Sequence, residues 1–167
     1  MRQLSPIPLE QETFEAFGTV LDRDLAEQFL INQGTAKRFH RMGEVTFSSP
    51  EGSVILSIFR GTNRGYPFAI EMMERHPLGS QAFFPLSDVP WLVVVAPDLD
   101  GTPNPDSLKC FYVGGHQGVQ FHCNVWHHPL LVLAETQDFF IVDRDGDGNN
   151  LEEYKFEQPV ACINSVS

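Results

Sequence analysis

Five of the six histidines lie between His76 and His128, and three of them fall in one short run, FHCNVWHHPLL at 121–131. Neutral imidazole is the commonest side-chain ligand of first-row divalent metals and the side chain best suited to moving protons near neutral pH. A strand end presents His122 and His127 to a common point provided the chain turns between them. Asn124 suits that turn, because Asn tolerates the left-handed backbone conformation. His40 and His116 stand alone and read as surface or hydrogen-bonded residues. A second group lies upstream in FAIEMMERH, 68–76. Side chains alternate along a strand, so Phe68, Ile70, Met72, Glu74 and His76 share one face, which begins apolar and ends ionisable. The same pattern recurs at 53–60, where Val54, Leu56 and Ile58 precede Arg60. If both faces point into a barrel, its floor is packed and its mouth holds Glu74, His76 and Arg60, a common form of ligand site.

Short strands must position these residues. The chain of 167 residues is 42% hydrophobic and 20% charged, a globular balance that suits one domain, 1–167. Fourteen Phe, 13 Gly and 12 Pro spread along the whole length favour short strands joined by many turns. Strands are predicted at 53–59, 68–76, 82–86, 91–96, 108–113, 129–135 and 139–142, with turn clusters at 61–67 and 97–106. One helix is predicted, at 9–18, with Leu9, Phe14 and Phe17 on one face and Gly18 as its stop. Strands without intervening helices indicate an all-β antiparallel sandwich or barrel. Phe47, Phe59, Phe68, Phe83, Phe84, Phe111, Phe121, Phe139 and Phe140 are its expected core.

Charge and composition exclude several functions. Lys and Arg number 11 against 22 Asp and Glu, a net charge of −11, which repels nucleic acids and anionic membranes. No apolar run approaches the roughly 20 residues of a membrane helix, and the N-terminus has no secretory pattern. Cys110, Cys123 and Cys162 form no CxxC pair and read as reduced thiols of a cytoplasmic protein. Cys123 and His122 are adjacent on a strand, so they point apart and make no nucleophilic pair. The run from Asp143 to Asn149 imitates an EF-hand calcium loop. Tyr154 stands where the bidentate Glu belongs, however, and no helix precedes it, so it reads as an acidic turn.

Two segments resemble the motifs of the cupin superfamily. Glu74-Arg75-His76 followed by Gln81 resembles the first motif, His-x-His-x(3 or 4)-Glu, with Glu for the first His and Gln for the acid. Asn124-Val125-Trp126-His127 resembles the Gly-x-x-His end of the second, with Asn for Gly. Phe68 and Asp88 replace the outer glycines of the first motif, and His122 or Cys123 the proline of the second. The longer strings FLINQGTAKRFH (29–40), ERHPLGSQAFFPL (74–86), GVQFHCNVWHHPL (118–130) and FFIVDR (139–144) resemble the ureidoglycolate lyase family along essentially the whole chain. The resemblance implies a cupin-like jelly-roll β-barrel and a homodimer. It also implies cleavage of (S)-ureidoglycolate to glyoxylate and urea in purine degradation, with nickel as the associated ion. The alternatives are a non-catalytic cupin that senses a small carboxylate, and another small-molecule cupin isomerase or dioxygenase.

The substrate is a carbinolamide bearing a carboxylate, and its collapse moves a proton from hydroxyl to ureido nitrogen. A divalent metal held by Glu74, His76, Gln81, His122 and His127 would acidify the hydroxyl and orient the acid. Gln81 in place of an acid lowers the negative charge of that set, which weakens the hold on the ion. His122 or His128 could serve as general acid, His127 is the residue whose loss matters most, and the resemblance turns Asp143 and Arg144 toward the site. Arg60, Arg75 and Arg144 are candidate partners of the substrate carboxylate, with Arg60 preferred, and Trp126 could wall the pocket. An anionic substrate on a protein of this charge calls for a confined cationic mouth.

Overall fold

A computed structural model describes residues 1–164. The fold is all-β, with two large sheets that face each other. In the five-stranded sheet the spatial order is Gly18–Asp22, Gln117–Phe121, Gln81–Pro85, Thr136–Asp145 and Ser53–Thr62, all neighbours antiparallel. The seven-stranded sheet runs from Glu152–Lys155 through Met72–Arg75, Trp126–His127, Trp91–Ala96 and Lys109–Val113 to Ile7–Pro8, with Leu131–Val132 also on Trp91–Ala96. Phe83, Phe121, Phe139 and Ile141 of the first sheet pack against Trp91, Val93, Val95, Phe111 and Val113 of the second. This is the packed barrel interior expected from alternating inward positions.

The run WLVVVA is apolar at every position because both of its faces are covered. Trp91, Val93 and Val95 face the barrel, while Leu92, Val94 and Ala96 meet Ile70, Ala161 and Ile163 of a small outer sheet. Among the described residues, no helix is long and apolar enough to cross a membrane.

Three expectations change. The helix shrinks to Gln11–Phe14, since the chain turns after it to bury Phe17 and then enters a strand at Gly18. A Cβ on Gly18 would collide with the Gln120 backbone carbonyl, so this glycine permits strand pairing rather than ending a helix. The predicted strand 68–76 is two strands, Phe68–Ile70 and Met72–Arg75, which pair with different partners on either side of Glu71. Within the expected core, Phe59 and Phe140 are exposed. Phe140 pairs with Ile58 of the edge strand on the outer face of the five-stranded sheet, where Val54, Leu56, Ile58 and Arg60 point outward rather than into the barrel, while Phe59 borders the open cavity beside Phe83.

Candidate active site

Glu74 and His127 are directly opposed on antiparallel strands, so both side chains leave the same face. His76 lies two residues beyond Glu74 and rejoins that face. One ligand atom from each of Glu74, His76 and His127 lies within 4.8 Å of the others. Asn124 makes the turn before His127 with a φ of 68°, and its amide donates to the His76 carbonyl at 2.8 Å. That bond stitches the two halves of the site together.

Hydrogen bonds fix the imidazole tautomers. His76 Nδ1 donates to the Asn150 carbonyl at 2.7 Å, and His127 Nδ1 donates to the Val125 carbonyl at 2.9 Å. A carbonyl only accepts, so each ring carries a proton on Nδ1 and directs its Nε2 inward. Both Nε2 atoms are buried without a hydrogen-bond partner, as are Gln81 Oε1 and Asp143 Oδ1. Gln81 opens its strand beside Asp143, and its Nε2 donates weakly to Asp143 Oδ2 at 3.4 Å. The Phe121 ring stacks on His127 at 4.3 Å between centroids and 12° between planes, which fixes the imidazole plane.

The surroundings move His76 and Glu74 in the same direction, downward, for different reasons. Burial lowers the pKa of His76, and the neighbouring His127 lowers it further. For Glu74, burial pushes upward, but the nearness of His127, His76 and His128 outweighs it and leaves the carboxyl below its ordinary range. Burial carries His128 down to about 4. His127 Nε2 faces Glu74 Oε1 across 3.6 Å, a spacing that a cation or a proton between them would make attractive.

Other candidates lie further out. His122 is exposed and its Nε2 meets the Glu15 carbonyl at 3.3 Å, because the Asn124 turn sends it away from His127. His128 donates Nδ1 to the Pro129 carbonyl at 2.7 Å and packs edge-on against Phe68. Arg75 pairs with Glu152 and Asp98 and lies over the Trp126 ring, whose Nε1 also donates to Asp98. This places Arg75 and the Trp126 edge outside the barrel.

Arg60 is held by both oxygens of Asp138. Arg144 is buried, and its Nε and Nη2 donate to the Glu51 carbonyl while Nη2 also donates to that of Asp147. It thus braces the acidic turn from inside, and Asp143 leaves that turn for Gln81. Arg144→Ala is expected to cost about 3 kcal/mol of stability by stranding those carbonyls, measurable by urea denaturation.

Two contributors escape sequence reasoning. Asn150 holds His76 through its carbonyl and the Leu78 amide through its side chain. A main-chain role leaves no signature in residue type. Arg64 sits in the predicted turn 61–67 and borders the open cavity above Glu74, about 680 Å³ and lined also by Phe59, Arg60, Asn63, Phe83 and Leu130. Its sign was a signal, but its place was not.

Residues 1–163 match the family model described as ureidoglycolate lyase. The chain is 48% identical to a ureidoglycolate lyase of Rhizobium etli over 152 residues, covering 91% of this chain and 90% of that protein. It is 44% identical to a protein of the same name from Pseudomonas fluorescens strain Pf0-1 over 163 residues, covering 98% and 97%. Among solved structures, a mutant of Bacillus subtilis oxalate decarboxylase aligns with 71% of this chain and 31% of its own, at 10% identity and a TM-score of 0.37. On the full-length family match and these near-complete alignments, the chain belongs to the ureidoglycolate lyase family.

Proposed function

We propose that this chain cleaves (S)-ureidoglycolate to glyoxylate and urea at the Glu74–His76–His127 cluster. The observation that carries the reading is the convergence of buried, partnerless donor atoms on one point beside an open cavity. Such atoms are costly to bury unless a ligand satisfies them. Two imidazole nitrogens and a carboxylate suit a borderline first-row divalent ion, nickel in the reading the family favours, with Gln81 Oε1 as a further oxygen donor. When bound, the ion lowers the pKa of the substrate hydroxyl and holds the α-hydroxy acid in place.

The chain's own groups do the rest. Glu74, His76 and His127 fix the position of the reacting carbon, and Phe121 keeps the His127 plane from turning. Asp143, with its free Oδ1, takes the proton from the hydroxyl as the carbonyl of glyoxylate forms. The same proton passes to the ureido nitrogen as the C–N bond breaks, so urea leaves neutral. His128 stays neutral and shapes the wall with Phe68.

Purified protein given fresh (S)-ureidoglycolate should release glyoxylate and urea in equal amounts well above the spontaneous rate. Release at the spontaneous rate alone would remove the reading.

The same proposal extends to assembly. The edge strand Ser53–Thr62 exposes Leu56 at 65% and Ile58 at 63%, beside Val54 and Phe140. An exposed ten-residue edge strand with a run of apolar side chains is an aggregation hazard unless it is covered, and a second copy covers it symmetrically. Light scattering should give a dimer for the parent protein and a monomer for Leu56→Arg; a dimer in both would refute this interface. Cys110, Cys123 and Cys162 are all unpaired, which suits a reducing, cytoplasmic setting.

A further inference from the structure

Two arginines border the cavity above Glu74, and they differ in what their donors already hold. Arg60 gives Nε and Nη2 to the two oxygens of Asp138 at 2.7 and 2.8 Å, so its fork is filled. Arg64 has no carboxylate and no hydrogen-bond acceptor on its guanidinium among the described residues; its one neighbour of note is the Phe68 ring, 5.7 Å from Cζ to centroid. The Phe68 ring in turn meets His128. A planar cation resting against an aromatic face keeps its N–H edge available for a ligand.

The turn that carries Arg64 is pinned on both sides. Asn63 donates its amide to Glu135 at 3.0 Å and its Nδ2 to the Leu133 carbonyl at 2.8 Å. Its Oδ1 accepts from the Gly65 amide at 2.7 Å, and Gly65 takes a φ of 79° to close the turn. The backbone at Arg64 is therefore set in place, and only the side chain remains to be ordered by a ligand.

Charge decides which ligand. Glu74 puts a carboxyl group on the cavity wall, and the whole chain carries −11. A small carboxylic acid entering there needs a cation whose donors are not already engaged. Resting on the lyase reading of this site, we propose that Arg64 is the specificity-determining residue that pairs with the carboxylate of the substrate and of glyoxylate. Arg60 then keeps the structural role its ion pair gives it.

The test uses the metal-loaded full chain and the variants Arg64→Gln and Arg64→Lys. Arg64 is exposed on its turn, so both variants should fold. In Arg64→Gln, KM for ureidoglycolate and the inhibition constant of glyoxylate should both rise about 10- to 100-fold, while kcat stays within about threefold. Arg64→Lys should fall between the two, since a point charge replaces a fork. Urea, which has no carboxylate, should inhibit all three proteins equally. A KM and a glyoxylate inhibition constant within twofold of the parent in Arg64→Gln would overturn the assignment. If the parent shows no turnover, the lyase reading fails on its own, and glyoxylate binding by calorimetry still decides Arg64: weaker binding in Arg64→Gln supports it, and equal binding overturns it.

Discussion

His127→Ala should lower kcat for glyoxylate release by about a thousandfold or more. Loss of one ligand from a three-donor cluster removes several kcal/mol of charge stabilisation, and each 1.4 kcal/mol is about a factor of ten. The rest of the protein predicts a selective effect. His127 is nearly fully buried between Phe121 and Glu74, so its removal leaves a cavity and frees Glu74 from its closest partner. The fold should survive this, because the main core of Trp91, Phe111, Phe139 and Ile141 lies deeper in the barrel. Circular dichroism should be unchanged, and the thermal midpoint should fall by only a few degrees. A variant with parental kcat would exclude His127 from the chemistry. His127→Gln separates ligation from packing: it refills much of the space without restoring an imidazole, so it should regain stability and not turnover.

The parts of this site that were legible in the sequence share one property: they depend on local geometry. Glu74 and His76 share a face because they are two apart, and Asn124 allows the turn before His127 through its own backbone preference. Relations set by distant pairing were not legible. The apolar alternation of 53–59 looks the same on an edge strand as on a central one, so nothing in it showed that Leu56 and Ile58 face outward. The segment 68–76 keeps strand character throughout, yet the chain changes partners at Glu71, a decision made by residues 152–163. His122 looks equivalent to His127 in composition, and only the direction of the intervening turn separates them. Gln81 and Asp143 meet because two strands far apart in sequence are neighbours in one sheet, which the family resemblance could suggest and spacing could not. Arg64 illustrates the limit most plainly, since its relevance rests on Arg60 being occupied by Asp138.

Removal of the bound ion is the other experiment with a large expected outcome, and it reads on stability as well as rate. Without an ion, His76 Nε2, His127 Nε2, Gln81 Oε1 and Asp143 Oδ1 stay buried and unpaired. Each such atom costs on the order of 1–3 kcal/mol. An ion that binds only the folded chain offsets these costs, so its removal should lower both activity and thermal midpoint. Extended dialysis against a strong chelator should reduce turnover by at least about a hundredfold and the midpoint by several degrees, with about one ion released per chain. Nickel should restore both at lower concentration than manganese, following the affinity order for nitrogen and oxygen donors. Glu74→Gln removes a negative charge and a donor while keeping the side chain's size, so the variant should need more nickel for the same recovery. The decisive comparison is between parent and His76→Ala: nickel should raise the midpoint of the first and leave the second nearly unmoved. Turnover and midpoint that both withstand the chelator, in protein shown to contain no ion, would take the metal out of the mechanism.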